Sequence, residues 1–319
     1  MKNRILFLLL VCLAARLTTL AQTTNPSAGA PIDLATQKGT IKGTLLLPTS
    51  AGKVPVVLLL SGSGPTDRDG NNPMMKNNSL RMVAEELHAQ GIASVRFDKR
   101  GIAESQGAAM SEFDLRFDHY VQDAAAWVQK LKKDPKFSKV VVLGHSEGSL
   151  IGMIAARQAQ ADAFISVAGA GQSADKIIRQ QLQMQPKVVT DAAFPILDQL
   201  VQGKAVAEVN PMLASLFRPS VQPYLISWFK YDPQAEIRKL TIPVLLVQGN
   251  QDLQVSMQEA QLLAAAAPKS KLVEVENMNH ILKETSSDRN ANFSTYSNPT
   301  LPLASPLMPA VVTFVKSVK

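Results

Sequence analysis

Short, unbroken apolar runs alternate with amphipathic stretches along most of this chain. Residues 54–60 (VPVVLLL), 92–97, 139–143 (KVVVL), 163–167, 243–247 (PVLLV) and 271–275 read as strands, the continuous apolar ones fitting burial on both faces. Between them apolar residues recur at helical spacing. Leu80, Val83, Ala84 and Leu87 form one stripe, closed by Gly91. Tyr120, Ala124, Trp127, Val128 and Leu131 form another. Helices are also expected over 150–160, 257–267 and 311–318, and alternation over 41–47 predicts an early antiparallel strand. Strands regularly separated by helices mean βαβ units. The predicted fold class is therefore α/β, with a mostly parallel sheet covered by helices on both faces.

Residues 170–237 break this rhythm. They hold no convincing strand and carry prolines at 186, 195, 211, 219, 223 and 233. This predicts a helical insertion between two strands. Its aromatics Phe194, Phe217, Tyr224, Trp228, Phe229 and Tyr231 cluster late. Two readings stand side by side: packing of the insertion on the sheet, or a lid facing a ligand, with Tyr224 and Trp228 as candidate substrate contacts.

The N-terminus changes the picture of composition and charge. Lys2 and Arg4 precede an apolar stretch of 11 residues, too short to span a bilayer, and Thr19 and Ala21 are small residues placed for cleavage after Ala21. Residues 1–21 are read as a secretory signal peptide, giving a secreted or periplasmic protein with no stable membrane insertion after cleavage. Removing Lys2, Arg4 and Arg16 lowers the formal charge from +7 to +4, weak support for a nucleic-acid partner, and none is expected. The only cysteine, Cys12, leaves with the leader. Disulfides, thiolate–metal sites and a cysteine nucleophile are excluded in the mature chain. An apolar fraction of 46% with 18% charged residues rules out disorder of the whole chain. No metal-ligand cluster is apparent and no cofactor is required.

The candidate chemistry starts where strand 139–143 ends, in Gly144-His145-Ser146-Glu147-Gly148. A G-x-S-x-G turn between a strand and a helix lifts the serine out of the sheet, and the flanking glycines leave room for crowded backbone. A serine hydroxyl needs a base. Of four histidines, His88 and His119 fall in helical segments, and His145 flanks Ser146 and is expected to point away from it. His280 follows the last strand, in a loop on the same sheet edge as Ser146, and is the expected base. Asp252 follows strand 243–247 at that edge and is the expected carboxylate; a helix-capping turn is its alternative role. The order Ser146, Asp252, His280 fits a Ser-His-Asp triad.

Strand 54–60 runs into Ser61-Gly62-Ser63-Gly64-Pro65, where a second oxyanion amide is expected. The backbone N–H groups of Ser63 and Glu147 are assigned as the oxyanion hole, with Gly62 as a further candidate substrate contact. The loop does not fit G-x-G-x-x-G, which argues against a nucleotide. Asp67, in Thr66-Asp67-Arg68-Asp69-Gly70, either meets substrate or closes a turn on itself. Asp98 and Arg100 are expected to brace the loops at the same edge.

Together these residues resemble the α/β-hydrolase superfamily, and most of all bacterial carboxylesterases with a serine-aminopeptidase-like hydrolase domain. The matching stretches are SGSGPTDRDG at 61–70, FDKRGIAES at 97–105, GHSEGS at 144–149, LFRPSVQPYLISWFKYDP at 216–233, QGNQDLQV at 248–255 and NMNHILK at 277–283. The resemblance implies a sheet of about eight strands and a helical cap between strands six and seven. The chain then divides into a hydrolase core (22–169 and 238–319) and a cap (170–237). It also implies hydrolysis of a small-molecule ester with a short acyl chain, through an acyl-enzyme. The oxyanion loop reads Ser-Gly where many relatives read His-Gly; backbone donors survive that change. A peptidase or amidase acting on small aminoacyl substrates is the alternative within this chemistry, with Asp67, Asp69 or Glu147 as the amine site. A non-catalytic binding protein on the same scaffold is the alternative outside it.

Overall fold

The computed structural model describes residues 29–319. The proposed leader and its cleavage point lie outside the described residues. The core is one eight-stranded sheet in the order β1-β2-β4-β3-β5-β6-β7-β8, with β1 Ala30–Thr36, β2 Gly39–Leu46, β3 Val54–Leu60, β4 Ala93–Phe97, β5 Phe137–His145, β6 Ala163–Val167, β7 Val244–Gly249 and β8 Lys271–Val275. β2 pairs antiparallel with both β1 and β4, and every pairing from β4 to β8 is parallel. The early strand expected at 41–47 is β2. β1 precedes it and escaped the hydrophobic pattern: as an edge strand it buries only Leu34 (APIDLAT).

The apolar runs form strands because both faces of the parallel sheet are covered. Along β3, Val54, Val56, Leu58 and Leu60 face one core while Val57 and Leu59 face the other. β5 repeats the alternation, with Val140 and Val142 against Val141 and Leu143. Each such side chain removed from water contributes about 1.5–3 kcal/mol. On one face lie α1 (Ser79–Ala89) and α11 (Leu307–Ser317), through Val83, Leu87, Leu307, Val311 and Val315. On the other lie α2 (Phe117–Lys133), α3 (Glu147–Gln158) and α9 (Met257–Ala266). There the α2 stripe buries Trp127 completely, stacked on Phe97 at 5.4 Å between ring centroids.

The insertion between β6 and β7 is helical: α4 (Ala174–Gln183), α5 (Lys187–Val201), α6 (Ala214–Phe217), α7 (Gln222–Trp228) and α8 (Pro233–Arg238). A short α10 (Arg289–Ser294) lies in the last long connection. The architecture is that of an α/β-hydrolase: a mostly parallel eight-stranded sheet flanked by helices and carrying a helical insertion. The cap packs on α2, where Phe117 stacks on Trp228 at 6.0 Å with nearly parallel rings and its N–H donates to Ser227 Oγ at 2.8 Å.

Chain order sets where the site forms. β3 connects onward to β4 on one side and its neighbour β5 connects onward to β6 on the other, so the connections leave these adjacent strands in opposite directions. A crevice opens at the carboxyl ends of strands at such a switch point. Leu60 pairs with Gly144 across β3 and β5, so the loops that follow, Ser61–Gly64 and Gly144–Gly148, emerge side by side.

Candidate active site

Ser146 sits between β5 and α3 with φ 56° and ψ −122°, a left-handed backbone that a residue with a Cβ adopts only under strain. Such strain costs about 1–3 kcal/mol and persists because the surroundings enforce it. Its N–H is tied to the Val167 carbonyl at 3.0 Å. The flanking glycines are sterically required. A Cβ on Gly144 would lie 2.1 Å from the Gly148 carbonyl oxygen, and one on Gly148 would lie 2.6 Å from the Leu60 carbonyl oxygen.

The loops after β7 and β8 bring the other two expected residues to this turn. His280 Nε2 is 3.1 Å from Ser146 Oγ, and His280 Nδ1 is 2.8 Å from Asp252 Oδ2. Asp252 has no exposed side-chain surface, yet it is well satisfied. Its Oδ1 accepts the N–H groups of Gln254 (2.8 Å) and Val255 (2.9 Å), and Gln248 Nε2 donates to Oδ2 at 3.1 Å. Burial pushes this carboxyl up, but His280 and the backbone donors outweigh it and hold it below its ordinary value. With Asp252 ionised, Nδ1 of His280 carries the proton and Nε2 is free to accept one from Ser146.

On the other side of Ser146 lies the loop after β3, where the oxyanion amide is expected. A Cβ on Gly62 would be 3.2 Å from Ser146 Cβ, so this loop runs against the serine. Among the described residues no protein acceptor takes the Ser63 N–H. Glu147 is the first residue of α3, where helical N–H groups lack intrahelical partners.

The Glu147 side chain is buried. Its Oε1 accepts from Tyr224 Oη at 2.6 Å, and its Oε2 lies 3.6 Å from Lys99 Nζ. Lys99 also donates to the Gly62 carbonyl at 2.6 Å. Tyr224 is thereby a buried link between cap and core, ringed by Phe117, Tyr120 and Trp228. Trp228 is partly exposed and stacks on Phe117. Asp67 forms the self-bonded turn: its Oδ1 accepts the N–H groups of Asp69 and Asn71, both at 2.9 Å. Asp69 pairs with Arg96 at 2.7 Å. Asp98 accepts from the Arg68 N–H and guanidinium, at 2.8 and 2.6 Å, and Arg100 pairs in a two-pronged contact with buried Asp123.

Sequence reasoning assigned no role to two residues near Ser146. His145 is turned toward the base loop, its Nε2 donating to the His280 carbonyl at 2.7 Å. Burial, with His280 beside it, drives the His145 ring down to about 4, so it is neutral near neutral pH. Lys99 lay inside a stretch already singled out for its neighbours, but nothing along the chain signals a partner 37 residues away. Among the described residues no group of His, Cys, Asp and Glu is placed to hold a metal ion, and no helix is long and apolar enough to cross a membrane.

Comparison with known proteins places this geometry in a wider group. A family model described as serine aminopeptidase, S33, matches residues 76–225, which include Ser146 but stop short of Asp252 and His280. Esterase EstD of Thermotoga maritima is 26% identical over 255 residues, covering 76% of this chain. The match spans 58% of that relative's own length. Among solved structures, Est1E from Butyrivibrio proteoclasticus with ferulic acid bound superposes with a TM-score of 0.63 at 18% identity, covering 90% of this chain and 98% of its own. A thermophilic esterase from Thermogutta terrifontis, malate bound, gives 0.55 at 16% identity, covering 91% and 99%. By its sheet order and inserted helices the chain has the α/β-hydrolase fold, and it is similar in sequence and structure to these esterases.

Proposed function

We propose that this protein is a serine hydrolase that cleaves carboxylic esters through an acyl-enzyme on Ser146, His280 and Asp252. The observation that carries the reading is the unbroken hydrogen-bonded path from Ser146 Oγ through the His280 ring to Asp252, at 3.1 and 2.8 Å. His280 Nε2 takes the proton as Oγ attacks the ester carbonyl. The developing oxyanion is met by the amides of Ser63 and Glu147. His280 then protonates the leaving alkoxide as the acyl C–O bond breaks. In the second half it takes a proton from water, whose oxygen attacks the acyl-enzyme, and returns that proton to Ser146 as the acid departs. Asp252 holds the tautomer and stabilises the imidazolium.

Esters are favoured over aminoacyl amides by what the nearby carboxylates already do. A substrate amine needs a free acid. Glu147 is taken by Lys99 and Tyr224, Asp69 by Arg96, and Asp67 by its own turn. Relatives named as esterases point the same way, whereas the serine aminopeptidase description of the family model keeps the amidase reading open to test. A preference for short acyl chains, with Gly62, Tyr224 and Trp228 as substrate contacts, belongs to the same proposal. Division into a core (22–169 and 238–319) and a cap (170–237), and export to the periplasm or beyond after cleavage at Ala21, belong to the same proposal. N-terminal sequencing of the exported protein, beginning at Gln22, tests the leader.

The functional test is a series of p-nitrophenyl esters of increasing acyl length run beside aminoacyl anilides, with Ser146→Ala as control. Hydrolysis of short esters well above anilides, abolished in the variant, is the expected result. Preferential anilide cleavage points to the peptidase. A protein that turns over neither and takes no fluorophosphonate label is a binding scaffold.

A further inference from the structure

We infer that Lys99 is a positioning residue for the oxyanion hole, its buried ammonium holding the peptide that carries the Ser63 donor and, on its other side, the side chain of Glu147, which carries the second donor. The inference rests on the acyl-transfer reading above and assigns a role to a residue outside the triad.

The argument begins with one peptide unit. The Gly62 carbonyl and the Ser63 N–H belong to the same planar, trans peptide, so they point in opposite directions. Lys99 Nζ holds that carbonyl oxygen at 2.6 Å. Fixing one end fixes the other, and the N–H is turned away from Lys99. The loop's other ties, Thr66 Oγ1 to the Ser63 carbonyl at 2.8 Å and Ser61 Oγ to the Thr66 carbonyl at 3.4 Å, do not touch the Gly62–Ser63 peptide, and glycine on both sides of Ser63 widens its rotational freedom.

The second contact lies on α3. Glu147 Oε2 is 3.6 Å from the same ammonium and, among the described residues, accepts no hydrogen bond, so charge attraction is what pairs it. Its Oε1 is held by Tyr224. The first residue of α3 is thus tethered at its side chain, while its N–H, in the first turn, has no intrahelical partner. One cation spans the loop after β3 and the start of α3, the two segments whose spacing defines the hole.

The chemistry suits a lysine. Burying an ammonium is costly, and an apolar side chain would fill the same volume without that cost. Lys99 is 5% exposed, and the Tyr120 ring lies 5.3 Å from Nζ. Burial lowers its proton affinity, and the Glu147 carboxylate opposes that loss. A compact ammonium with several donors reaches both partners from one side, which a planar guanidinium does not match.

The test is Lys99→Met, which keeps the length and apolar stem but removes the donor, compared with Lys99→Gln, whose shorter amide still donates. Both are assayed with a p-nitrophenyl ester, and kcat is expressed per active site titrated by the acylation burst. Misfolded protein then drops out of the rate. Displacing one oxyanion donor lowers kcat by about 10- to 100-fold with KM within about threefold. Lys99→Met is expected in that range, with affinity for a trifluoromethyl ketone, which mimics the tetrahedral adduct, falling by the same factor. Lys99→Gln is expected between it and the wild type. If Lys99→Met does not fold, Lys99→Gln carries the same comparison against the wild type. A kcat per titrated site close to wild type, or a loss confined to KM or to thermal stability, overturns the inference while leaving the esterase reading intact. A wild type that neither bursts nor labels at Ser146 overturns that reading and this inference with it.

Discussion

The ring Nε2 of His145 donates to the backbone carbonyl of His280 at 2.7 Å, so the residue just before the proposed nucleophile supports the loop of the proposed base. Only the neutral ring with its proton on Nε2 makes this bond without placing a second proton, and a charge, in the buried space beside His280. The two rings lie 5.0 Å apart.

That relationship predicts an acid limb in stability. The His145 ring is lowered from 6.5 to about 4 in the folded state, by burial first and His280 second. Between those values the unfolded chain binds a proton that the folded chain does not. Stability is therefore full above about pH 6.5, falls as pH drops toward about 4, and loses on the order of 3 kcal/mol from this group. Urea unfolding measured across this window checks the slope. His145→Gln, which keeps a donor but does not titrate, is expected to flatten it.

Asp252→Asn separates geometry from proton placement. The amide oxygen still accepts from Gln254 and Val255, which occupy Oδ1. The amide NH₂ then faces His280 Nδ1, which must accept rather than donate, and the imidazole proton moves to Nε2, the wrong side for a base. The expected kcat loss is about 10³- to 10⁴-fold with KM little changed. Circular dichroism should report an intact fold, and a loss of less than about tenfold contradicts the assigned role.

The serine turn makes a steric prediction. Gly144→Ala forces a Cβ to within 2.1 Å of the Gly148 carbonyl oxygen, a backbone atom that yields only if the turn reshapes. A stability loss of about 3 kcal/mol or more is expected, together with loss of ester turnover. Gly52→Ala is the control, since a Cβ there meets nothing within 4 Å, and its effect should stay within about 0.5 kcal/mol. Thermal unfolding of the two variants side by side gives the comparison.

How much of this was legible along the chain follows from which interactions are local. β3 and β6 begin and end where their apolar runs do, because burial on both faces leaves little polar signal to blur the pattern. β1 was missed because an edge strand is largely exposed and its alternation carries little signal. α3 starts at Glu147, three residues before its apolar run at Leu150, because the strained Ser146 turn launches it. Ser146, His280 and Asp252 were legible through loop position: each follows a parallel strand, and chain order then puts them at one sheet edge. Asp67 stood between two readings, and its bonds to Asp69 and Asn71 fall on the side of the turn. Lys99 and His145 were not assigned because their partners are 37 and 135 residues away and no local pattern encodes such pairs.

The central claim is that Ser146 carries the acyl group. Rapid quenching of the enzyme with a p-nitrophenyl ester, followed by mass analysis of its peptides, tests it directly. One acyl group on the peptide containing Ser146, absent in Ser146→Ala along with turnover, is the predicted result. An acyl group on another residue, or ester hydrolysis that persists in Ser146→Ala, would contradict it.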